Sequence, residues 1–239
     1  MTIDQGISLA TSIGACLSAC AALLAVRFSS KNSKASYKPE LIVSRTIFSG
    51  KSANSIAFNW VNDDLDNADV EFHKMFFLPM RNVGMGTAKQ VSVRWSFPIE
   101  EVVTTVNTLI GQSAINASLR YENEVLVMKS NTINEFASVW SKQQKSSLDF
   151  VLPASIEQEP AELKVPLAYM QLVSALVFFS AKNHASHTLP KMPTLKAELS
   201  FFDIGGSHHK RYFDIDIQVS VVDSKGEAFS GYLESRNIN

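Results

Sequence analysis

The sequence predicts a mainly β chain that one N-terminal helix holds to a membrane. Residues 7–26 contain no charged side chain. Several later segments alternate apolar and polar residues with the two-residue period of a half-buried strand, and glycine-containing turns separate them. We therefore divide the 239 residues into a transmembrane anchor at 1–27, a basic juxtamembrane linker at 28–39 and a β-sandwich domain at 40–239.

Composition limits the classes of protein. With 46% hydrophobic and 19% charged residues, the chain can bury the core of one domain of about 200 residues. The net charge of −1 lacks the basic excess typical of direct nucleic-acid binding, which we do not expect. Both cysteines, Cys16 and Cys20, lie in the opening segment, so the remainder cannot form an internal disulfide, which suits a reducing compartment.

The uncharged segment has the length of a membrane span. Twenty residues of helix rise about 30 Å, the thickness of the hydrocarbon core. An export signal normally begins with a positive region, whereas this chain begins with "MTIDQ", which carries Asp4 and no Lys or Arg. The stretch from Leu17 to Cys20 is similar to a lipoprotein cleavage site, but the apolar run continues to Val26. We favour an uncleaved anchor over a lipoprotein signal or a buried helix.

Basic residues set the expected orientation. They follow the segment and none precedes it: Arg27, Lys31, Lys34 and Lys38. The positive-inside rule then places the N-terminus outside and the C-terminal domain in the cytoplasm, with a single pass through the membrane. The same side chains can contact anionic lipid headgroups, each contributing about 1 kcal/mol, or can serve as an orientation signal alone.

One face of the predicted anchor carries only small residues. They recur every four positions at Ala10, Gly14, Ser18 and Ala22. Small residues at this spacing let two helix backbones approach closely in lipid. We therefore expect membrane-helix packing at these four residues and an oligomer that forms through the anchor. The alternative is that small residues are simply abundant in membrane spans.

Alternation is clearest in two predicted strands. In one, Val91, Val93 and Trp95 alternate with polar residues, and in the segment 212–222 the apolar residues are Phe213, Ile215, Ile217, Val219 and Val221. Turn residues at 204–207 and 223–226 flank that segment and predict hairpins. Several such strands imply two sheets that close on one core.

Two segments interrupt the strands and predict helices. Residues 98–111 place apolar side chains at helical spacing, with proline in the first turn and glycine at the stop. Residues 165–181 are seventeen largely apolar residues. The second segment has three interpretations: a helix packed on the core, a membrane-surface or partner contact, and a second span.

The candidate sites for chemistry are weak. An acidic stretch at 63–71 lacks the glycine and the final glutamate of a calcium loop. His184 and His187 are neighbours in the sequence, as are His208 and His209, but no cysteine or nearby carboxylate completes a zinc set. No catalytic motif is present. We expect no enzyme, no catalytic residue, no metal and no cofactor.

The run "FFLPMRNVGMGTAKQVSVRWSF" at 76–97 resembles the strand–Asn-x-Gly-x-Gly-x-Ala–strand signature of many bacterial immunoglobulin-like modules. The resemblance implies an immunoglobulin-like β-sandwich with one or two inserted helices. It also implies a structural turn at Asn82, Gly84 and Gly86, and we expect left-handed backbone at Asn82 and Gly84.

The order of anchor, basic linker, this signature and the later hairpin resembles poorly characterised bacterial membrane-anchored proteins, some of which are effectors beside retrons or other anti-phage systems. That resemblance implies a non-enzymatic protein that contacts membrane lipid, binds a partner protein through its sandwich and self-associates through its anchor, as a membrane-perturbing effector. The alternatives are a scaffold subunit of an envelope complex and a tethered ligand- or metal-binding sensor.

Overall fold

The computed structural model describes residues 3–54, 57–62, 75–130, 136–183 and 189–238. Its first helix, α1 (Ile3–Ser36), precedes a mainly β domain. The other described helices are α2 (Ile99–Gln112), α3 (Trp140–Gln143) and α4 (Leu167–Lys182). The described strands are β1 (Leu41–Val43), β2 (Thr46–Asn54), β3 (Ala57–Val61), β4 (Phe77–Asn82), β5 (Ala88–Ser96), β6 (Ala117–Glu122), β7 (Val125–Ser130), β8 (Phe136–Val139), β9 (Lys145–Val151), β10 (Ala161–Lys164), β11 (Leu195–Phe202), β12 (His208–Val222) and β13 (Ala228–Ile238). The predicted N-terminal apolar helix and mainly β class are confirmed.

The described strands form three antiparallel sheets. A seven-stranded sheet has the order β3-β2-β13-β12-β11-β5-β9, and two three-stranded sheets have the orders β1-β4-β10 and β6-β7-β8. The ring of Phe48 on the large sheet meets the edge of Phe76, which immediately precedes β4, at a centroid distance of 6.4 Å. The large sheet and the β1-β4-β10 sheet therefore share one core.

Strand register defines two ends of the domain. Leu41 pairs with Asn82, Ala88 pairs with Val151, and Lys89 pairs with Phe202. The loop 83–87, the segment 152–160 and the turn 203–207 consequently lie together where α1 enters, which we call the anchor end. The opposite end, which we call the far end, carries Ser96, the segment 191–194 and the turn 223–226.

The predicted strand faces are largely confirmed. Val91, Val93 and Trp95 are each at most 1% exposed. On β12 the expectation fails at Val221, which is 61% exposed. The register of β12 against β13 shifts between Val219 and Val221. A β-bulge of this kind reverses the alternation of faces, which explains the exposed valine.

Helix α4 decides between the three interpretations of 165–181. Every residue from Ala168 to Ser180 is buried in the protein. The indole Nε1 of Trp60 donates to Ser174 Oγ at 2.9 Å, and the Tyr169 hydroxyl donates to the Pro193 carbonyl at 2.8 Å. A helix that is apolar on all sides must be covered on all sides. Here the domain itself covers it, so the core-packed interpretation is confirmed.

Helix α2 is confirmed with an end one residue beyond Gly111, and it buries the predicted apolar face. Helix α1 continues to Ser36, so most of the segment 28–39, the predicted basic linker, is helical. Between Gly14 and Pro39 the sequence has no glycine or proline to interrupt a helix. Pro39 disfavours helical backbone at the residue before it, which accounts for where the helix stops.

Candidate membrane anchor and its junction with the β domain

The apolar part of α1 is uncovered. Residues Ile13–Ser30 have a mean hydropathy of 1.6 and none is buried. Eighteen residues of helix measure about 27 Å, close to the thickness of a hydrocarbon core. This length and composition satisfy the requirement for a membrane span, which a signal sequence near an N-terminus satisfies as well.

The small-residue face is accessible within the described part of α1. Gly14, Ser18 and Ala22 are exposed, and no atom lies within 4 Å of the position that a Cβ on Gly14 would occupy. The side chain of Ala10 lies outside the described residues. Since residues four apart share a helix face, the three described positions form one continuous strip on the helix.

The predicted basic residues divide between the helix and the domain. Arg27 is exposed on α1, and Lys38 is exposed just beyond its end. The side chains of Lys31 and Lys34 lie outside the described residues. Arg27 thus lies in the last turn of the Ile13–Ser30 segment, near its C-terminal end.

Asn82 connects the entry of the domain to its sheets. Its Oδ1 accepts the backbone N–H of Glu40 at 3.0 Å and that of Gly84 at 3.1 Å. Its Nδ2 donates to the carbonyls of Gly86 at 2.7 Å and Val151 at 3.1 Å. Asn82 is 1% exposed, and these four bonds use both ends of its amide.

Gly84 and Gly86 are required for a close approach of two chain segments. A Cβ on Gly84 would lie 2.5 Å from the backbone nitrogen of Glu40, and a Cβ on Gly86 would overlap the carbonyl of Tyr37. The segment Tyr37–Glu40 therefore lies directly against the loop 83–87. We call this contact, with Asn82, the anchor junction.

The expected left-handed backbone at Asn82 and Gly84 is wrong. Among the described glycines, positive φ occurs at Gly206 (81°) and Gly226 (69°), both in the predicted hairpin turns. Residues 83–87 form the loop between β4 and β5, and glycine is needed at Gly84 and Gly86 because a side chain has no space. Sequence reasoning missed Tyr37 and Glu40, whose contact with the glycines connects residues more than 40 positions apart.

A possible catalytic arrangement on the β11–β12 hairpin proves to be two separate pairs. His208 Nε2 lies 2.6 Å from Ser200 Oγ, and His209 Nε2 lies 2.9 Å from Asp203 Oδ2. Successive residues of a strand point to opposite faces, so Asp203 cannot orient the histidine that contacts Ser200. A serine–histidine–aspartate triad requires that orientation, and this geometry does not provide it.

The Asp203 pair has a structural role. The hydrogen bond from His209, reinforced by the backbone N–H of Ser207, holds the pKa of the Asp203 carboxyl below its usual range. The N–H of Ser207 donates to Asp203 Oδ1 at 2.8 Å, which fixes the turn that contains Gly206. Lys210 and Glu198 form an ion pair on the same hairpin, at 2.7 Å.

No group of three metal-ligating side chains occurs within the ranges that the structure describes. The acidic stretch at 63–71, together with His184 and His187, lies outside those ranges. Comparison with protein-family models, curated proteins and solved structures finds no match.

A cleft lies at the far end of the domain. A cavity of about 490 Å³ lies between the first turns of α2 and the segment 191–194. Its lining combines charged residues with apolar ones: Glu101, Lys191, Lys196, Val102, Leu176 and Met192. Thr105 lines it from α2, whereas its neighbour Thr104 is exposed outside the cleft.

Proposed function

We propose that this chain is a single-pass, non-enzymatic membrane protein whose β domain binds a partner protein. The uncovered apolar surface of α1 is the observation that carries the proposal. Leu17, Leu23 and Leu24 are 66%, 71% and 56% exposed. Moving one such side chain fully out of water contributes about 1.5–3 kcal/mol. Helix α4 obtains this stabilisation from the domain, and α1 obtains it from lipid.

The charge pattern supports an outside N-terminus and a cytoplasmic domain at a bacterial inner membrane. Asp4 precedes the span, while Arg27 lies in its last turn and Lys38 follows it. Alkaline phosphatase fused after Asn239 is expected to be inactive, because it needs an oxidising compartment, and a fluorescent protein at the same site is expected to be bright. Active phosphatase would reverse the topology, and release of the chain by alkaline carbonate would remove the anchor.

Self-association through the small-residue strip completes the anchor's role. The pair Gly14→Leu and Ser18→Leu fills the strip and is expected to abolish cross-linked dimers in membranes while insertion persists. The matched control is Cys16→Leu with Cys20→Leu, because each cysteine lies about 200° around the helix from the residue two positions before it. Equal dimer formation by both pairs would contradict the proposal.

The far-end cleft is the proposed partner surface, because it is the end that an anchored domain presents to the cytoplasm. Thr105→Arg is expected to prevent co-purification of the partner from detergent. Thr104→Arg is the control, since each hydroxyl donates to the carbonyl four residues earlier at 2.9 Å. Loss of the partner in both variants, or in neither, would exclude the cleft.

Within this proposal the chain acts as a membrane-perturbing effector of an anti-phage system, the role that the resemblance of its segment order implies. The immunoglobulin-like assignment belongs to the same proposal, and the shared core of the large sheet and the β1-β4-β10 sheet supports it. Expression in bacteria is expected to raise membrane permeability to a dye, and the Gly14→Leu, Ser18→Leu pair is expected to abolish that rise. If the membrane of cells that express the Gly14→Leu, Ser18→Leu pair becomes equally permeable to the dye, the mechanism is contradicted.

A further inference from the structure

From the exposed side chains at the anchor end, we infer that this end of the β domain lies on the lipid surface, with apolar loop residues inserted among the headgroups. The inference rests on the proposed membrane anchor and adds a second contact with the same bilayer. It concerns three segments: the loop 83–87, the end of β9 with the segment that follows it, and the turn 203–207.

Large apolar side chains are concentrated at this end. Met85 and Ile156 are each 70% exposed, Phe150 is 59% exposed, Ile204 is 55% exposed and Val83 is 52% exposed. They come from three segments that are distant in sequence and meet only because the strands end together. An apolar cluster of this kind on a protein surface marks an interaction site.

The anchor junction places this cluster beside the membrane. Tyr37–Glu40 contacts Gly84 and Gly86, and Met85 stands between those two glycines. Six residues of helix, 31–36, lie between Ser30, the last residue of the apolar span, and Tyr37. They rise about 10 Å. The headgroup layer is about 5–8 Å thick on each side, so a loop projecting from the junction reaches it.

The spacing between Ser30 and Tyr37 also indicates that lipid, and not a partner protein, covers the apolar loops. A single α-helix with its side chains is about 10–12 Å across, so the gap between bilayer and domain has no room for a folded partner. Lipid is continuous with the uncovered surface of α1 and needs no additional component. A phenylalanine such as Phe150 suits the boundary between headgroups and acyl chains, where apolar side chains of interfacial proteins are buried.

The charges at this end do not favour one sign. Lys89 and Asp149 line one cavity at this end, and Arg81, Glu157 and Glu159 line another. Attraction to anionic lipid is therefore small, and burial of apolar surface is the main contribution. Docking through apolar burial is insensitive to salt, whereas docking through a basic patch weakens as salt screens it.

The test uses the full chain in vesicles of phosphatidylcholine and phosphatidylglycerol. In a background of Cys16→Ser and Cys20→Ser, a nitrobenzoxadiazole label is attached at Met85→Cys or, as a second site, Ile156→Cys. The matched control is Val221→Cys at the far end, which is 61% exposed. A headgroup-attached nitroxide is expected to quench the two anchor-end labels several-fold more strongly than the control, equally at 0.15 and 1 M salt.

Each outcome supports or overturns the inference. Weak quenching at all three sites, with the chain still resistant to carbonate extraction, overturns the docking and leaves the anchor intact. Extraction of the chain by carbonate overturns the proposed function itself. Quenching that falls at high salt overturns apolar docking. Ile156→Asp with Ile204→Asp is expected to reduce quenching at Met85→Cys, and unchanged quenching would exclude insertion of those loops.

Discussion

The amide of Asn82 accepts the backbone N–H of Glu40 at 3.0 Å, although 42 residues separate the two positions. Glu40 follows the helix that carries the apolar span, and Asn82 ends a strand of the β1-β4-β10 sheet. This hydrogen bond joins the segment that follows α1 directly to the sheet. The anchor is therefore attached to the β domain without a free linker between them.

Replacing Asn82 with alanine is expected to destabilise the domain by about 2–4 kcal/mol, since four hydrogen bonds are lost and buried backbone groups remain unpaired. For a domain of this size the melting temperature should fall by roughly 5–12 °C, as circular dichroism in detergent would show. The control is Asn116→Ala, at an exposed asparagine. Equal melting of the two variants would contradict the role assigned to Asn82.

Two glycine-to-alanine substitutions are expected to act in opposite directions. In Gly86→Ala the new Cβ would overlap the Tyr37 carbonyl, which costs about 1–3 kcal/mol of folding free energy. In Gly111→Ala, within α2, no atom lies within 4 Å, and the better helix propensity contributes up to about 1 kcal/mol. Urea unfolding measures the change in the free energy of unfolding for both variants. A neutral Gly86→Ala would show that Tyr37 is not held against the loop.

The two buried serines of α4 are expected to respond differently to alanine. Ser174→Ala leaves the indole N–H of Trp60 without its acceptor, at a cost of about 1–3 kcal/mol. The hydroxyl of Ser180 has no hydrogen-bond partner, so Ser180→Ala should change stability by less than about 0.5 kcal/mol or increase it. Thermal unfolding of the two variants compares them directly, and similar losses would contradict this assignment.

Low pH is expected to remove the contribution of the Asp203 carboxylate to folding stability. Its folded pKa lies below the unfolded value of about 3.9, so the stabilisation is present above that pH and is lost as pH falls through the folded pKa. Asp203→Asn is expected to melt roughly 2–4 °C below the unsubstituted chain at pH 5, about 1 kcal/mol for a partly exposed pair, and to approach it below pH 4. Asp149→Asn, at an exposed carboxylate, is the control. A deficit independent of pH would exclude the linkage.

Local patterns in the sequence were sufficient for most of the strands and for α2. Val91, Val93 and Trp95 follow the two-residue period, and that period depends only on the backbone of one strand. Val221 does not follow this period, because the bulge in β12 depends on the neighbouring strand. Gly231 of β13 lies so close to β12 that a Cβ there would overlap the backbone of Gln218. Contacts between strands of this kind have no signal in the alternation itself.

The same distinction explains α4 and the two glycines. The run at 165–181 showed that an apolar environment was needed, but the choice between lipid and protein depended on partners such as Trp60, 114 residues away from Ser174. The sequence pattern of Gly84 and Gly86 suggests left-handed backbone, whereas the structure requires glycine because Tyr37 and Glu40 leave no space for a side chain.

Helix α1 runs unbroken from its apolar span to Ser36, and the anchor junction begins at Tyr37. Each residue of helix turns by about 100°, so the number of residues between Ser18 and Tyr37 fixes the azimuth of the β domain about the helix axis. If two chains pair along the small-residue strip, their far-end clefts are therefore held at a fixed angle to each other. Insertion of one residue after Ser30 would turn each cleft by more than a quarter of a revolution, whereas seven residues would nearly restore it.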